Sequence, residues 1–244
     1  MTRNVARNQS FSQLIETIER ISTRQYDITV GETRTLITTT IALFREHLIR
    51  NGSYSEEKIR PLVTKFRDAG RRSAPWRPAS SRVPGRPQDG SDGNRINRWL
   101  LPPDHKFYAD EINATLVEVK YFFQTLSMTD APPFPNSLLQ DSLVWLLKHR
   151  IEPGLYEDPI QLTPINIREF IADPRLVQSG HLIPLDRGGK HKPDNAFLML
   201  ARSNQIQGNQ TLDELIELMG RITDRYRSGE TPAELNVSPS GEDS

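Results

Sequence analysis

One stretch near the C-terminal end constrains the fold of this chain more than any other part of the sequence. A short apolar run ends at Gly180–His181, and the turn pair Gly188–Gly189 follows. Asn195 opens a second apolar run, Ala196–Leu200, and Asn204 comes nine positions after Asn195. This pattern predicts a strand, a loop, a strand and a helix that aim one imidazole and one amide oxygen at a common point.

The spacing of these residues resembles a known nuclease motif. The features in register are Gly180–His181, Pro184, Gly188–Gly189, Asn195 and Asn204. They resemble the HNH (ββα-metal) endonuclease superfamily, most closely the HNH motifs of bacterial type II restriction endonucleases. The resemblance covers residues 160–215 and implies that His181 is the catalytic general base. It also implies that the second catalytic residue, Asn195, fixes the loop that orients the histidine, and that Asn204 holds the metal ion.

The residue types suit the hydrolysis of a phosphodiester. A neutral imidazole such as that of His181 can accept a proton from water at physiological pH. The amide oxygen of Asn204 suits a hard cation, and the expected cofactor is Mg²⁺ or Mn²⁺. Most members of the family carry a second metal ligand just before the base, but that position is Gly180 here. The candidates for a further ligand or a phosphate contact, among which the sequence does not choose, are Asp186, His191, Gln205 and Asn209.

Basic residues are concentrated in one part of a chain whose net charge is zero. Ten Lys and Arg residues stand against three Asp between Arg60 and Arg98, and Pro, Gly and Ser are frequent from 71 to 94. Two interpretations stay open: a surface linker, or an arm that lies along a DNA backbone. The residues expected to contact DNA, here and in the motif, are Arg71, Arg72, Arg77, Arg82, Arg86, Arg187, Lys190 and Lys192.

Apolar residues at helical spacing dominate the chain before the motif. The expected class is α+β, with a largely helical N-terminal part and a C-terminal ββα-metal (HNH) motif that is followed by a helix. The expected segments are a helical bundle (1–70), a Pro/Gly/Arg-rich loop or DNA-contacting arm (71–106), a helical part that could form a dimer interface (107–157), the HNH nuclease domain (158–228) and a flexible tail (229–244).

Composition excludes several classes of protein. The chain has no cysteine, so a disulfide framework is excluded and no structural zinc is expected. No apolar run approaches the length of a membrane span, and the N-terminus lacks the apolar core of a signal peptide. We therefore expect a cytoplasmic protein that does not associate with membranes.

Together these features predict a metal-dependent endonuclease that acts on double-stranded DNA. A sequence-specific type II restriction enzyme is the first choice, and cutting both strands favours a homodimer whose two-fold axis matches a palindromic site. Two alternatives stay open. One is a non-specific or structure-specific nuclease, such as an antiphage effector or toxin. The other is a DNA-binding protein with an inactive HNH motif.

Overall fold

The structure, a computed structural model, describes residues 10–24, 27–73, 95–134 and 137–229. This part of the chain contains eight α-helices and two small antiparallel sheets of two strands each. The mixture confirms the α+β class that the sequence predicts. None of the helices in the described ranges is both long enough and apolar enough to cross a lipid bilayer.

The helices follow the apolar periodicity of the sequence, and capping boxes close the starts of the first, second and last of them. They are α1 (Phe11–Ser22), α2 (Val30–Arg50), α3 (Glu56–Ala69), α4 (Glu111–Leu126), α5 (Ser137–Leu147), α6 (Ile167–Ala172), α7 (Ala201–Gln207) and α8 (Leu212–Arg227). The strands are β1 (Arg72–Ser73), β2 (Ile96–Asn97), β3 (Val177–His181) and β4 (Ala196–Leu200). β1 pairs with β2, and β3 pairs with β4.

One apolar core joins the helical part to the C-terminal hairpin. Its central element is α4, in which every residue from Ala114 to Leu126 is buried. This helix packs against α2, α3, α5 and β4. The cluster of buried residues runs from Leu14 to Leu198, so the expected segments 1–70, 107–157 and 158–228 share a single core. The dimer interface expected within 107–157 stays a prediction, and it would have to use residues other than the buried part of α4, which its own chain covers.

Side chains of the helical part hold the outer edge of β4. The backbone N–H of Leu198 donates to Oε1 of Gln124 at 3.0 Å, and that of Leu200 donates to Oδ2 of Asp158 at 2.7 Å. The hydroxyl of Tyr156 donates to the carbonyl of Leu198. These bonds satisfy groups that an edge strand otherwise leaves unpaired. They also fix the hairpin in position against α4.

The end of α3 approaches α4 closely at Gly70. A Cβ atom added to Gly70 would lie 2.6 Å from Cβ of Glu118 and 2.8 Å from its Cα. Both distances are shorter than carbon atoms tolerate, and a backbone atom on a buried helix cannot move aside easily. Glycine at this position therefore sets the separation of α3 and α4.

Replacing Gly70 with alanine is expected to lower the free energy of unfolding by about 1–3 kcal/mol, because the added methyl group forces α3 away from α4. Urea unfolding followed by circular dichroism measures this change. Gly220→Ala is the matched control, since a Cβ atom there meets no other atom within 4 Å. In the middle of a helix this control should be neutral or stabilising by up to about 1 kcal/mol. Equal losses in both variants would contradict the packing argument.

Candidate active site

A second histidine holds the ring of His181 at the end of β3. Nε2 of His181 lies 2.9 Å from Nδ1 of His191, and Nε2 of His191 lies 2.9 Å from the carbonyl oxygen of Gly70. A carbonyl oxygen only accepts, so Nε2 of His191 carries a proton, and Nδ1 of the neutral ring is an acceptor. Nε2–H of His181 therefore donates to His191. This leaves the lone pair on Nδ1 of a neutral His181 available to accept a proton.

Burial and one buried cation keep both rings neutral. Desolvation, with a smaller contribution from Arg98, lowers the pKa of His181 to about 3 and the pKa of His191 well below its usual value. Nε of Arg98 donates to the same Gly70 carbonyl at 2.8 Å. Burial lowers the pKa of Arg98 to about 10, so its guanidinium stays charged at neutral pH. His181 is thus in the form that accepts a proton, but it is a weak base until a negative charge comes near.

Asn195 ties together the loop that carries His191. Its buried side chain accepts a hydrogen bond from the N–H of Ile183 at 2.8 Å. It also donates to the carbonyls of Ile183 and Lys190, both at 2.9 Å. These three bonds span the loop between β3 and β4. Asn195 thereby fixes the backbone close to His191, which in turn orients His181.

Asn204 lies on α7 and faces a different part of β3. Its Nδ2 donates to Oε1 of Gln178 at 3.0 Å, which fixes the orientation of the carboxamide. A Cβ atom added to Gly180 would lie 3.3 Å from Oδ1 of Asn204, so this oxygen points toward the glycine. Gln178 was not among the site residues predicted from the sequence. The alternation of side chains along a strand could have found it, since residues two apart share a face.

The same alternation separates the two residues expected to act together. Gln178 and Gly180 face α7, whereas His181 faces His191 and the end of α3. Within the described ranges, no hydrogen bond or ring contact joins His181 to Asn204. The expectation that the side chains of His181 and Asn204 aim directly at one common point is therefore wrong. Both residues lie near the C-terminal end of β3, but on its opposite faces, because neighbouring residues of a strand point in opposite directions.

A buried methionine fills the space beside Gly180. A Cβ atom at position 180 would lie 2.4 Å from Cε and 2.5 Å from Sδ of Met199. The described residues contain no group of three or more His, Cys, Asp or Glu side chains that could hold a metal ion. Oδ1 of Asn204 is thus a neutral oxygen, and position 180 adds no carboxylate beside it. A bound Mg²⁺ would take its remaining ligands from water and phosphate oxygens, which this ion accepts readily.

The further candidate ligands have other environments. Both ring nitrogens of His191 are hydrogen-bonded inside the protein, so the suggestion that His191 binds metal is corrected. The carboxylate of Asp186 pairs with Nζ of Lys106 at 2.6 Å on the surface. Gln205 and Asn209 are exposed. Within the described ranges, none of these four residues forms a hydrogen bond with the side chain of Asn204.

Several arginines expected on DNA bind groups of their own chain. Arg71 pairs with the fully buried carboxylate of Glu118, so its DNA-contacting assignment is corrected to a structural role. Arg72 donates to a backbone carbonyl at 3.1 Å. Arg187 forms two hydrogen bonds, at 2.7 and 3.0 Å, with the carboxylate of Glu214. These contacts brace the fold around the motif.

The remaining basic candidates differ in how they are placed. Lys190 is exposed in the loop that Asn195 closes, and the exposed Lys192 pairs with Asp194 at 2.8 Å. Three arginines lie outside the described residues: Arg77, Arg82 and Arg86. The paired strands β1 and β2 flank the 74–94 segment that contains them.

Comparison with protein-family models gives no match, and comparison with curated proteins gives none either. Among solved structures, the chain is similar to one described as the crystal structure of a type II restriction endonuclease. The identity is 22% and the TM-score is 0.43, and the similarity covers 55% of this chain and 62% of that chain. The chain thus matches less than two thirds of that protein.

In the folded protein, the ring of His181 is expected to stay neutral from pH 7.5 down to about pH 4.5, with its proton on Nε2. Desolvation and the charge of Arg98 are the causes, and they bring the pKa to about 3. Two-dimensional ¹H–¹⁵N spectra of the histidine rings measure both the titration and the tautomer. The His181→Gln variant assigns the signal.

The lowered pKa of His181 also determines how the stability of the protein changes with pH. An unfolded histidine takes up a proton near pH 6.5, whereas folded His181 does so only near pH 3. Its contribution to the free energy of unfolding therefore falls as the pH drops from 6.5 toward 3. A midpoint near pH 6.5 in the folded protein, or a proton on Nδ1, would contradict the hydrogen-bond chain described above.

Proposed function

We propose that this protein is a metal-dependent DNA endonuclease of the HNH type and, more specifically, a sequence-specific type II restriction enzyme. The observation that carries the proposal is the hydrogen-bond chain from the carbonyl of Gly70 through His191 to His181. This chain fixes one tautomer of His181 and leaves Nδ1 as a base. The cross-loop hydrogen bonds of Asn195 support the same interpretation, because they hold that chain in place.

His181 would act on the water that attacks the phosphorus atom. As the new bond from oxygen to phosphorus forms, the proton of the water moves to Nδ1 and the bond to the leaving 3′ oxygen breaks. The departing 3′ oxygen then takes a proton from solvent water. The resulting imidazolium lies near the buried Arg98, which disfavours it, and the scissile phosphate offsets this repulsion while it is bound. Once the product leaves, the low pKa of His181 returns the proton to solvent. The ring is then ready for another turnover.

The expected cofactor, Mg²⁺ or Mn²⁺, would neutralise charge on the phosphate and stabilise the leaving oxygen when bound. Asn204 is the residue that would hold it through Oδ1, and Gln178 keeps the carboxamide turned the right way. Gly180 and Met199 supply no charged ligand. We therefore expect weak affinity for the metal before DNA contributes its phosphate oxygens.

Double-stranded DNA is the proposed substrate, and a homodimer would supply one active site for each strand. Lys190 is exposed in the loop that Asn195 closes and is a suitable contact for a phosphate next to the scissile one. Arg77, Arg82 and Arg86 stay candidates for an arm on the DNA backbone on the basis of the sequence alone.

A second candidate function is DNA binding without cleavage. Two observations favour it: Met199 covers the position of the usual second ligand, and His181 and Asn204 lie on opposite faces of β3. Purified protein, plasmid DNA and Mg²⁺ or Mn²⁺ separate the candidates. Discrete fragments support a sequence-specific enzyme, and a smear supports a non-specific nuclease. Binding without any cleavage supports an inactive motif.

His181→Ala is expected to lower the cleavage rate by about 10²–10⁴-fold, the usual contribution of a general base, while DNA binding in a mobility-shift assay is retained. Asn204→Ala should also reduce cleavage strongly and regain part of it with Mn²⁺. Asn195→Ala should lower the cleavage rate less than the other two substitutions, since this residue acts by positioning the loop. His105→Ala is the control, because within the described residues the His105 ring makes local contacts, a hydrogen bond from the N–H of Phe107 and packing against the Phe107 ring. Wild-type rates in the first two variants would end the site assignment.

The orienting role of His191 predicts a difference between two substitutions. A glutamine at this position can accept from His181 and donate to Gly70 as the histidine does, whereas a leucine of similar size can do neither. His191→Gln should therefore keep most of the activity, and His191→Leu should lose about 10–100-fold. The pH profiles of kcat/KM and the melting temperatures are measured together. Equal activity losses that follow equal losses of stability would make His191 a packing residue only.

A further inference from the structure

The last helix presents an apolar row to solvent. Residues at alternating spacings of three and four occupy the a and d positions of two heptads. They are Leu212, Leu215, Met219, Ile222 and Tyr226. Leu215 is buried in its own chain, whereas the side chains of Met219, Ile222 and Tyr226 are 51%, 47% and 56% exposed. We call these last three residues the α8 seam.

The helix that carries the α8 seam is anchored at its N-terminal end. Thr211 and Glu214 form a capping box at its start, and Glu214 also pairs with Arg187 in the motif loop. From Leu215 onward the helix extends past the core, and Ile216, beside the seam, is 59% exposed. Single exposed apolar residues are ordinary on a protein surface, but a continuous row on an ordered helix indicates a contact surface.

The charge along α8 reverses from one end to the other. The first half carries Asp213, Glu214 and Glu217, and the second half carries Arg221, Arg225 and Arg227 together with Asp224. This order suits the helix dipole. It also makes the helix complementary to an antiparallel copy of itself, because the acidic half of each helix then lies beside the basic half of the other. A two-fold interface requires such self-complementarity.

We propose that α8 pairs antiparallel with α8 of a second copy of this chain, about a two-fold axis that passes between Met219 and Ile222. Met219 of each copy packs against Ile222 of the other, and Tyr226 reaches toward the buried Leu215 end of the partner. The proposal concerns association alone and does not depend on nuclease activity. It places the homodimer interface on α8 instead of the helices within 107–157.

The alternative occupant of the α8 seam is the tail of the same chain, residues 230–244. Residues 230–244 contain four acidic residues, no basic residue, and only Ala233, Leu235 and Val237 as apolar residues. This segment lies outside the described residues. Its charge would suit the basic half of α8, but it offers few apolar side chains for the seam. The experiments therefore include a chain that ends at Gly229.

Sedimentation velocity of the full chain, without DNA or metal, is expected to show a dimer at micromolar concentration. Ile222→Asp should raise the dissociation constant at least about 100-fold, because the substitution enters the interface twice. Leu155→Asp is the matched control: Leu155 is 65% exposed and outside α8, so this variant should stay dimeric. Circular dichroism confirms that both variants fold. A monomeric full chain, or a dimer that Ile222→Asp leaves intact, would overturn the proposal.

Cross-linking tests the antiparallel orientation, since the chain contains no cysteine that could interfere. Ile216 and Thr223 are one heptad apart on the same side of the seam, and they lie on opposite sides of the proposed axis, 4.5 and 2.5 residues from it. A mixture of the Ile216→Cys and Thr223→Cys variants should therefore form a disulfide-linked dimer more readily than either variant alone. Faster linking within each variant alone would show a parallel pair and overturn the arrangement.

The chain that ends at Gly229 decides between the partner and the tail. A dimer that persists without residues 230–244 supports the α8 pairing. A dimer that is lost on truncation shows that the tail mediates the association. A dimer that forms only after truncation shows that the tail covers the seam in the full chain. Either result overturns the proposal. Cleavage is not measured in any of these experiments. Failure of the dimer and failure of the nuclease proposal are therefore distinguishable.

Discussion

The carbonyl group of Gly70 is the contact on which the arrangement of the site depends. It terminates α3, where the carbonyls of a helix lack partners within the helix and carry partial negative charge. Nε of Arg98 and Nε2 of His191 both donate to it. One acceptor in the helical part thus positions a cation and a histidine that belong to two other segments. The orientation of His181 depends in turn on a backbone atom more than one hundred residues away, so the motif is built onto the helical part and not merely attached to it.

Polar residues of the buried helix α4 also hold the parts of the site in position. A buried polar group without a partner costs about 1–3 kcal/mol, so each such group selects the position of whatever satisfies it. Glu118 binds Arg71 beside Gly70, and Gln124 binds the edge of β4. Lys120 donates to the carbonyl of Pro193 at 2.6 Å, and its burial lowers its pKa to about 7. Three polar side chains on one apolar helix therefore fix the end of α3, the loop before Asn195 and the strand β4 relative to one another.

Local sequence signals predicted the hairpin and the helix after it, because turns, apolar runs and capping residues act over a few residues. The loop-fixing role of Asn195 was expected from the family resemblance alone. The partners of His181 could not be found in that way. His191 reads as a loop residue in the sequence, and only the approach of α3 buries it. Arg98 counted as part of a basic, DNA-facing segment, although tertiary packing places it beside two histidines. The separation of His181 from Asn204 follows from the predicted strand itself, since a strand points neighbouring side chains to opposite faces. The spacing of the motif residues alone does not contain this information.

That separation constrains how DNA would meet the site. The proposed base on one face of β3 and the amide proposed to hold the metal on the other could both reach a phosphate only around the end of the strand, where β3 gives way to the loop that Asn195 closes. A DNA strand would therefore cross the C-terminal end of β3 instead of lying along either face, with Lys190 on the rim of that loop. Only four residues separate α7, which carries Asn204, from α8. An antiparallel pair of α8 helices would thus hold the two copies of Asn204 at a fixed spacing, and in the proposed nuclease this spacing would determine the stagger between the two cuts.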